Sequence, residues 1–165
     1  MPAYFDRYIN LTEDIAITEA LEKFGQPYIE QERANLERLG DKVYAPGKWT
    51  VKDIIQHITD AERIFAYRAL RIGRADKTHL PGFDEELYAE HTTAATRTLD
   101  DLLQELYAVR VSTIMLFKSF NDDMLTHEGT SNGKTISVLA IGFTITGHAM
   151  HHMKVLKERY YPLVK

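Results

Sequence analysis

The sequence contains no cysteine among its 165 residues. This absence excludes disulfide bonds, a thiolate nucleophile supplied by the protein and zinc sites built on cysteine. It agrees with a cytoplasmic location, which we expect. The first ten residues, Met1–Asn10, carry charged side chains and no continuous apolar run, so we expect no secretory signal peptide there.

Long apolar runs and a strong excess of one charge are also missing. The run Ile136–Met150 contains glycines and is too short to span a membrane. The formal net charge is −4 and no basic stripe is present, which argues against a nucleic-acid partner. Since 44% of the residues are hydrophobic and 27% charged, we expect one soluble domain over residues 1–165 with a core of its own.

Helical periodicity dominates the chain, and almost nothing has the pattern of a strand. The spacing of apolar residues predicts four long helices. They cover roughly Asp14–Leu39, Thr50–Ile72, Thr98–Phe120, and the stretch from Ser137 to just before Pro162. Pro27 is expected to kink or split the first helix, because proline removes a hydrogen-bond donor, and Gly73 is expected to end the second.

The segments between the helices carry turn signals. Gly73–Arg97 is a long connection that contains a Pro81-Gly82 turn and one or two helical turns at Asp84–Glu90. Asn132-Gly133 marks a possible hairpin turn before the fourth helix. Thr50, three residues before Asp53, resembles a capping box at the start of the second helix. One helical bundle is the simplest fold that fits these signals.

Three histidines form the candidate site. His148 and His152 are four residues apart, so both fall on the core face of the fourth helix. His57 lies at the edge of the apolar stripe of the second helix and should also point inward. Three imidazoles leave a coordination position open, as in catalytic metal sites. The alternative is that all three are core residues held by hydrogen bonds.

The other four histidines are weaker candidates. His79, His91 and His127 are expected to be exposed polar residues in loops. His151 either lines a cleft beside the site or lies on the helix surface. No His-Glu-x-x-His motif is present, which argues against a zincin-type protease. The inward glutamates of a di-iron bundle are missing as well, so a mononuclear three-histidine site is the economical interpretation.

Arg110 falls on the core face of the third helix, which is unusual for arginine. It is a candidate catalytic residue that would orient an anionic substrate. The competing interpretation, which we prefer, is a buried ion pair with an inward carboxylate such as Glu62. Asp53, one turn before His57, either caps the helix or accepts a hydrogen bond from that histidine. Trp49 is expected to pack at the helix entry or to stack on a ligand.

Several motifs resemble those of the DinB-like (DinB/YfiT) superfamily. They are Ala45–His57, Asp60–Arg68, Leu80–Asp84, Ala108–Arg110 and Gly147–His152. The resemblance extends from Ala45 to about Tyr160 and continues more loosely before it. It implies an all-α four-helix bundle with up-down-down-up connectivity, in which the long connection between the second and third helices crosses over the bundle.

The resemblance also implies a metal triad formed by His57, His148 and His152. The metals typical of the family are zinc and nickel, and homodimers are common in it. Characterised relatives include thiol S-transferases that use a low-molecular-weight thiol such as bacillithiol, and mycothiol-dependent isomerases. Because a fold does not fix a reaction, the resemblance carries the site further than it carries the chemistry.

The leading hypothesis is therefore a metal-dependent thiol S-transferase. A divalent ion on three neutral imidazoles keeps its positive charge and favours a bound thiolate. Since the chain has no cysteine, a small-molecule thiol would have to be a cosubstrate beside an electrophilic substrate. The alternatives are a metal-dependent hydrolase, a metal-binding or stress-response module without catalysis, and a bundle whose histidines only fill its core.

Overall fold

The computed structural model describes residues 6–165 and is mostly helical. The helices are α1 (Asp6–Ile9), α2 (Ile17–Lys23), α3 (Gln26–Glu30), α4 (Arg33–Leu39), α5 (Val51–Gly73), α6 (Glu85–Glu90), α7 (Leu99–Lys118), α8 (Asp122–Thr126) and α9 (Val138–Val155). A 3₁₀ turn covers Ala94–Thr96. After α9 the chain continues through a π-helical turn, Leu156–Tyr160, and a 3₁₀ turn, Tyr161–Val164.

Four of these helices surround the core. α5 packs against both α7 and α9, and α2 contacts α7 and α9 from the other side. Buried apolar side chains fill the space between them in two groups. One group includes Leu21, Phe117 and Ile141, and the other includes Leu36, Ile55, Leu103 and Met153. The expected helical bundle is confirmed at this level.

The predicted first helix is wrong as a single element. The stretch Asp14–Leu39 forms the three short helices α2, α3 and α4. Pro27 lies in the first turn of α3, where its missing N–H has no intrahelical acceptor to lose. Pro27 therefore helps to start a helix instead of kinking one. Gly25 precedes α3, and a Cβ there would lie 2.8 Å from the carbonyl oxygen of Leu21.

The second predicted helix is confirmed as α5. The Thr50 side chain accepts from the backbone N–H of Asp53, and the Asp53 carboxylate accepts from the Thr50 N–H at 2.9 Å, which completes the capping box. The expected end at Gly73 is confirmed to within one residue, since Gly73 is the last residue of α5 and Arg74 is its C-cap. The glycine is also needed for packing, since a Cβ there would lie 2.7 Å from the Phe120 ring.

The connection after α5 contains the expected helical turns as α6, with Asp84 as its N-cap. The hairpin is confirmed: β1 (Glu128–Ser131) pairs antiparallel with β2 (Lys134–Ser137). Asn132 and Gly133 between them have φ of 49° and 71°, as a two-residue hairpin turn requires. Leu80 forms a parallel bridge to Ser131, which ties the connection to the hairpin.

Two short helices, α1 and α8, are four and five residues long and were not predicted from the sequence. Thr98 and Ser137 cap α7 and α9 with their side-chain oxygens, so both predicted starts are confirmed. Within residues 6–165, no helix combines the length and the apolar character needed to cross a membrane. The expectation about a signal peptide concerns Met1–Asn10, of which the first five residues lie outside the described range.

Candidate metal centre

His57, His148 and His152 meet inside the bundle. The Nε2 atoms of His57 and His148 are 3.0 Å apart, and those of His148 and His152 are 3.1 Å apart. One ligand nitrogen of each ring lies within 4.8 Å of the other two. The structure thus brings the three sequence-predicted residues together from α5 and α9, although the first two are 91 positions apart in the chain.

Local structure fixes the direction of these side chains. The capping box at Thr50 sets the first turn of α5, and His57 follows two turns later. His148 and His152 are one turn apart on α9, so both rings lie on the same face of the helix, edge to face with centroids 4.6 Å apart. Gly147 lets α1 approach α9, since a Cβ at this position would collide with the backbone carbonyl of Tyr8.

Burial keeps the three imidazoles neutral. It lowers the pKa of His57 from 6.5 to about 4 and that of His152 from 6.5 to about 3. The pKa of His148 falls well below 6.5, mainly by burial and further by the neighbouring His152 and His57. Each ring can therefore present a nitrogen lone pair at neutral pH, which a metal ligand must do.

Aromatic rings enclose the three histidines. The Trp49 ring centroid lies 4.9 Å from that of His57, and the Tyr8 and Phe65 centroids lie 5.4 Å and 6.1 Å from that of His148. Trp49 therefore packs at the entry of α5 and also contacts a histidine of the site. These rings exclude water from the sides of the site and hold the imidazoles in place.

The donor set fits a divalent metal. Three converging neutral imidazoles, two buried and one partly buried, match the ligands of catalytic zinc and nickel sites. A core made of hydrogen-bonded histidines would not need three rings to direct Nε2 at one point. The residues that could hold the ion are His57, His148 and His152.

The remaining histidines lie elsewhere. His79 and His91 are exposed, as expected. His127, which was expected to be exposed, is partly buried. Its Nδ1 lies 3.2 Å from the carbonyl oxygen of Gly73. His151 is also partly buried; its ring centroid is 5.3 Å from that of His152 and 5.7 Å from that of Tyr8. His151 is therefore a neighbour of the triad and not a free surface residue.

Arg110 forms the ion pair that the sequence suggested. Its Nε and Nη2 each donate to one carboxylate oxygen of Glu62 at 2.8 Å, and its Nη1 donates to the carbonyl oxygens of Leu21 and Phe24 at 3.1 Å. Asp53 likewise has a defined partner, because its carboxylate accepts from the Thr50 hydroxyl at 2.7 Å.

An open cavity of about 620 Å³ borders Phe65, the residue whose ring contacts His148. Its lining residues are Phe65, Arg68, Gly82, Phe83, Asp84, Glu85, Glu86 and Asn132. Phe83 and Glu85 also line a small pocket that contains His57, Asp53 and Asp60. The cavity and the small pocket thus share two wall residues, and His57 lines only the small pocket.

Two charged residues of this cavity were missed from the sequence, Arg68 and Glu85. Partial burial raises the pKa of the Glu85 carboxyl, and nearby Arg7 opposes that rise. Nothing in the local sequence distinguishes Glu85 from its neighbours Asp84 and Glu86. Arg68 could have been noticed, because it follows Phe65 by three residues and so lies near the inward face of α5.

Comparison with known proteins identifies a family and a solved structure that are similar to this chain. The family model of the DinB superfamily matches residues 29–156, a range that includes all three histidines. No curated protein gives a match. A solved structure, YfiT from Bacillus subtilis, is described as a probable metal-dependent hydrolase with an unusual four-helix bundle topology. It is 17% identical, covers 92% of this chain and 91% of its own, and has a TM-score of 0.73.

Proposed function

Since the chain belongs to the DinB superfamily, we propose that it is a metal-dependent enzyme whose ion is held by His57, His148 and His152. The observation that carries the proposal is the convergence of three neutral imidazoles, two buried and one partly buried, with a substrate-sized cavity nearby. A divalent ion at such a site acts as a Lewis acid and lowers the pKa of a small nucleophile, either water or a thiol.

Hydrolysis is the reaction that the surrounding residues favour. Glu85 is exposed and lines both the cavity and the small pocket at His57, so it borders both spaces. Its raised pKa suits a general base that takes the proton from an attacking water and later returns it to the leaving group. The likeness to YfiT, described as a probable metal-dependent hydrolase, agrees with this assignment.

Thiol S-transfer is the second candidate. It rests on the sequence resemblance, and the same three imidazoles would favour a thiolate from a small-molecule cosubstrate. In that reaction the thiol would release its proton to solvent before the attack, so the attack itself needs no general base. The dependence on Glu85 therefore separates the two reactions.

We assign Arg110 to the framework and not to substrate contact, because Glu62 and two carbonyl groups already occupy its donors. Zinc and nickel are the metals we propose, since imidazole suits both and both are typical of the family. A homodimer is proposed on the resemblance alone, and a cytoplasmic location on the absence of cysteine.

We also propose up-down-down-up connectivity for the long helices. Lys52 at the start of α5 donates to the carbonyl oxygen of Ala95, just before α7, at 3.4 Å. Gly73 at the end of α5 lies against Phe120, just after the end of α7. Contacts between corresponding ends support parallel helices, and these require a crossover between them.

The test is turnover by metal-loaded protein with two substrate panels. One contains activated esters and amides, and the other contains a small thiol with a generic electrophile such as 1-chloro-2,4-dinitrobenzene. If the enzyme is a hydrolase, Glu85→Gln lowers kcat for the best ester or amide by about 100-fold or more and leaves the metal content unchanged.

Thiol conjugation that needs the histidines but not Glu85 would support the second candidate and contradict hydrolysis. Metal binding without turnover of either panel would contradict both, and it would leave the non-catalytic module. His127→Ala is the matched control. Because His127 lies outside the triad, this variant should retain activity.

A further inference from the structure

Arg68 is a buried cation without a carboxylate partner among the described residues. It is 5% exposed, and its Nη2 donates to the carbonyl oxygen of Pro81 at 2.7 Å. Its guanidinium carbon lies 5.6 Å from the centroid of the Phe65 ring. Across residues 7–165, no Asp or Glu forms an ion pair with it, and burial lowers its pKa.

The other buried arginine gives a useful comparison. Arg110 is 3% exposed and donates to Glu62 and to two carbonyl groups. A guanidinium carries five N–H donors, and leaving a buried charge unpaired is costly. Arg68 donates to one protein acceptor among the described residues, and the rest of its guanidinium, which is not among the buried atoms without a partner, borders the open cavity.

The cavity supplies the place where a match can bind. Arg68 is one of its lining residues, together with the rings of Phe65 and Phe83 and the side chain of Asn132. Phe65 contacts His148, and Phe83 and Glu85 also border the small pocket at His57, so a molecule held by Arg68 lies near the histidines. The cavity therefore offers a cationic group and two aromatic walls close to the candidate metal site.

We propose that Arg68 binds the carboxylate of the substrate, and that the substrate class is a small monocarboxylate with an apolar or aromatic body. The apolar body packs against Phe65 and Phe83, and the carboxylate accepts hydrogen bonds from the Arg68 guanidinium. This inference rests on the proposed function in one respect: it treats the cavity as the substrate cavity of that enzyme.

The charges around Arg68 favour a carboxylate over a phosphate. Asp84, Glu85 and Glu86 line the same cavity, so its walls carry three acidic residues against one arginine. A dianionic phosphate would meet stronger repulsion from these carboxylates than a monoanion would. A singly charged group with a planar pair of oxygens also matches the fork of the guanidinium.

The experiment measures binding and requires no turnover. The probes are 4-phenylbutyrate and its uncharged amide, 4-phenylbutanamide, which differ only in the group expected at Arg68. Affinities for the zinc-loaded full chain are measured by calorimetry or by ligand-observed NMR. The protein should bind the acid at least about tenfold more tightly than the amide, because hydrogen bonds to charged groups are the stronger ones.

Variants locate the preference. Arg68→Gln should reduce the affinity for the acid about tenfold or more and leave the amide within about twofold, while Arg68→Lys should fall between them. Arg71→Gln is the matched control on the same helix. Arg71 pairs with Asp76 at 2.5 Å outside the cavity, so its removal should change neither affinity. Circular dichroism verifies that each variant is folded.

Equal binding of acid and amide by the unmodified protein would overturn the proposal, even if Arg68→Gln failed to fold. So would inorganic phosphate that displaces the acid at lower concentration than a carboxylate competitor. An acid preference lost in His152→Ala but kept in Arg68→Gln would assign the carboxylate to the ion and also overturn it. Failure of the proposed function differs, since it leaves acid binding intact and turnover absent.

Discussion

Arg110 and Glu62 form a bidentate ion pair in the centre of the bundle, with side chains only 4% and 2% exposed. The pair joins α7 to α5, and the remaining donors of Arg110 reach the carbonyl groups of Leu21 and Phe24 at the end of α2. One guanidinium thus connects three of the helices that surround the core.

Breaking this pair should be strongly destabilising. Glu62→Gln or Arg110→Met leaves one buried charge without its partner, and the expected loss in the free energy of unfolding is about 3–5 kcal/mol. Urea denaturation followed by circular dichroism measures the change. The double variant Glu62→Gln/Arg110→Met should recover part of the loss, because it removes both charges.

An exposed ion pair provides the control for that experiment. Lys118 and Glu22 are 2.7 Å apart with side chains 50% and 52% exposed. Lys118→Met should change the free energy of unfolding by less than about 1 kcal/mol, since water screens the pair. Similar losses at the two pairs would mean that burial does not determine the importance of Arg110.

The stability of metal-free protein should fall as the solution becomes acidic. The folded-state pKa values of His57 and His152 are lowered to about 4 and about 3, against 6.5 as the ordinary value. The unfolded chain therefore binds more protons below pH 6.5, and the stability present at neutral pH is lost as the pH falls toward 4. Each such histidine contributes a slope of up to about 1.4 kcal/mol per pH unit.

Chelator-treated protein, unfolded in urea at a series of pH values, tests this dependence. His152→Gln should give a shallower curve than the unmodified protein between pH 6.5 and pH 4, because it removes one buried imidazole. His79→Gln, at an exposed position, should follow the unmodified curve. Parallel curves for all three proteins would show that the triad is not held neutral by burial.

Much of the fold was predictable because local chemistry and tertiary packing agree. Thr50 and Asp53 form the expected capping box, and Asn132-Gly133 makes the expected hairpin turn. The prediction of a single first helix was wrong, because apolar periodicity alone does not distinguish one long helix from three short ones. The strongest local signal there, Pro27, is compatible with both a kink and a new start.

The candidate site was partly predictable for a similar reason. Helical spacing placed His148 and His152 on one face, but it did not determine which part of α5 would oppose them. The cavity depends on tertiary contacts, since Leu80 must bridge to Ser131 before Phe83 and Glu85 can border it. Arg68 is of interest because it has no carboxylate partner among residues 7–165, and such a tertiary relationship is not predictable from the sequence.

Gly147 should be needed for the cover over His148. A Cβ at this position would collide with the carbonyl of Tyr8, so Gly147→Ala should displace α1 and cost about 1–3 kcal/mol. Hydrogen exchange should accelerate at the amides of α1, and His148 should react faster with diethyl pyrocarbonate. Ala149→Gly is the control: it weakens α9 by about 1 kcal/mol but introduces no collision. Unchanged protection of α1 in Gly147→Ala would contradict this role.

The metal content of tag-free protein tests the central claim most directly. After reconstitution with zinc or nickel and removal of free ions, elemental analysis should find about one ion per chain in the unmodified protein and in His127→Ala. His57→Ala and His152→Ala should each retain less than about 0.1 ion per chain, because two imidazoles hold a divalent ion poorly. Equal metal content in all four proteins, or none in the unmodified protein, would contradict a three-histidine metal centre.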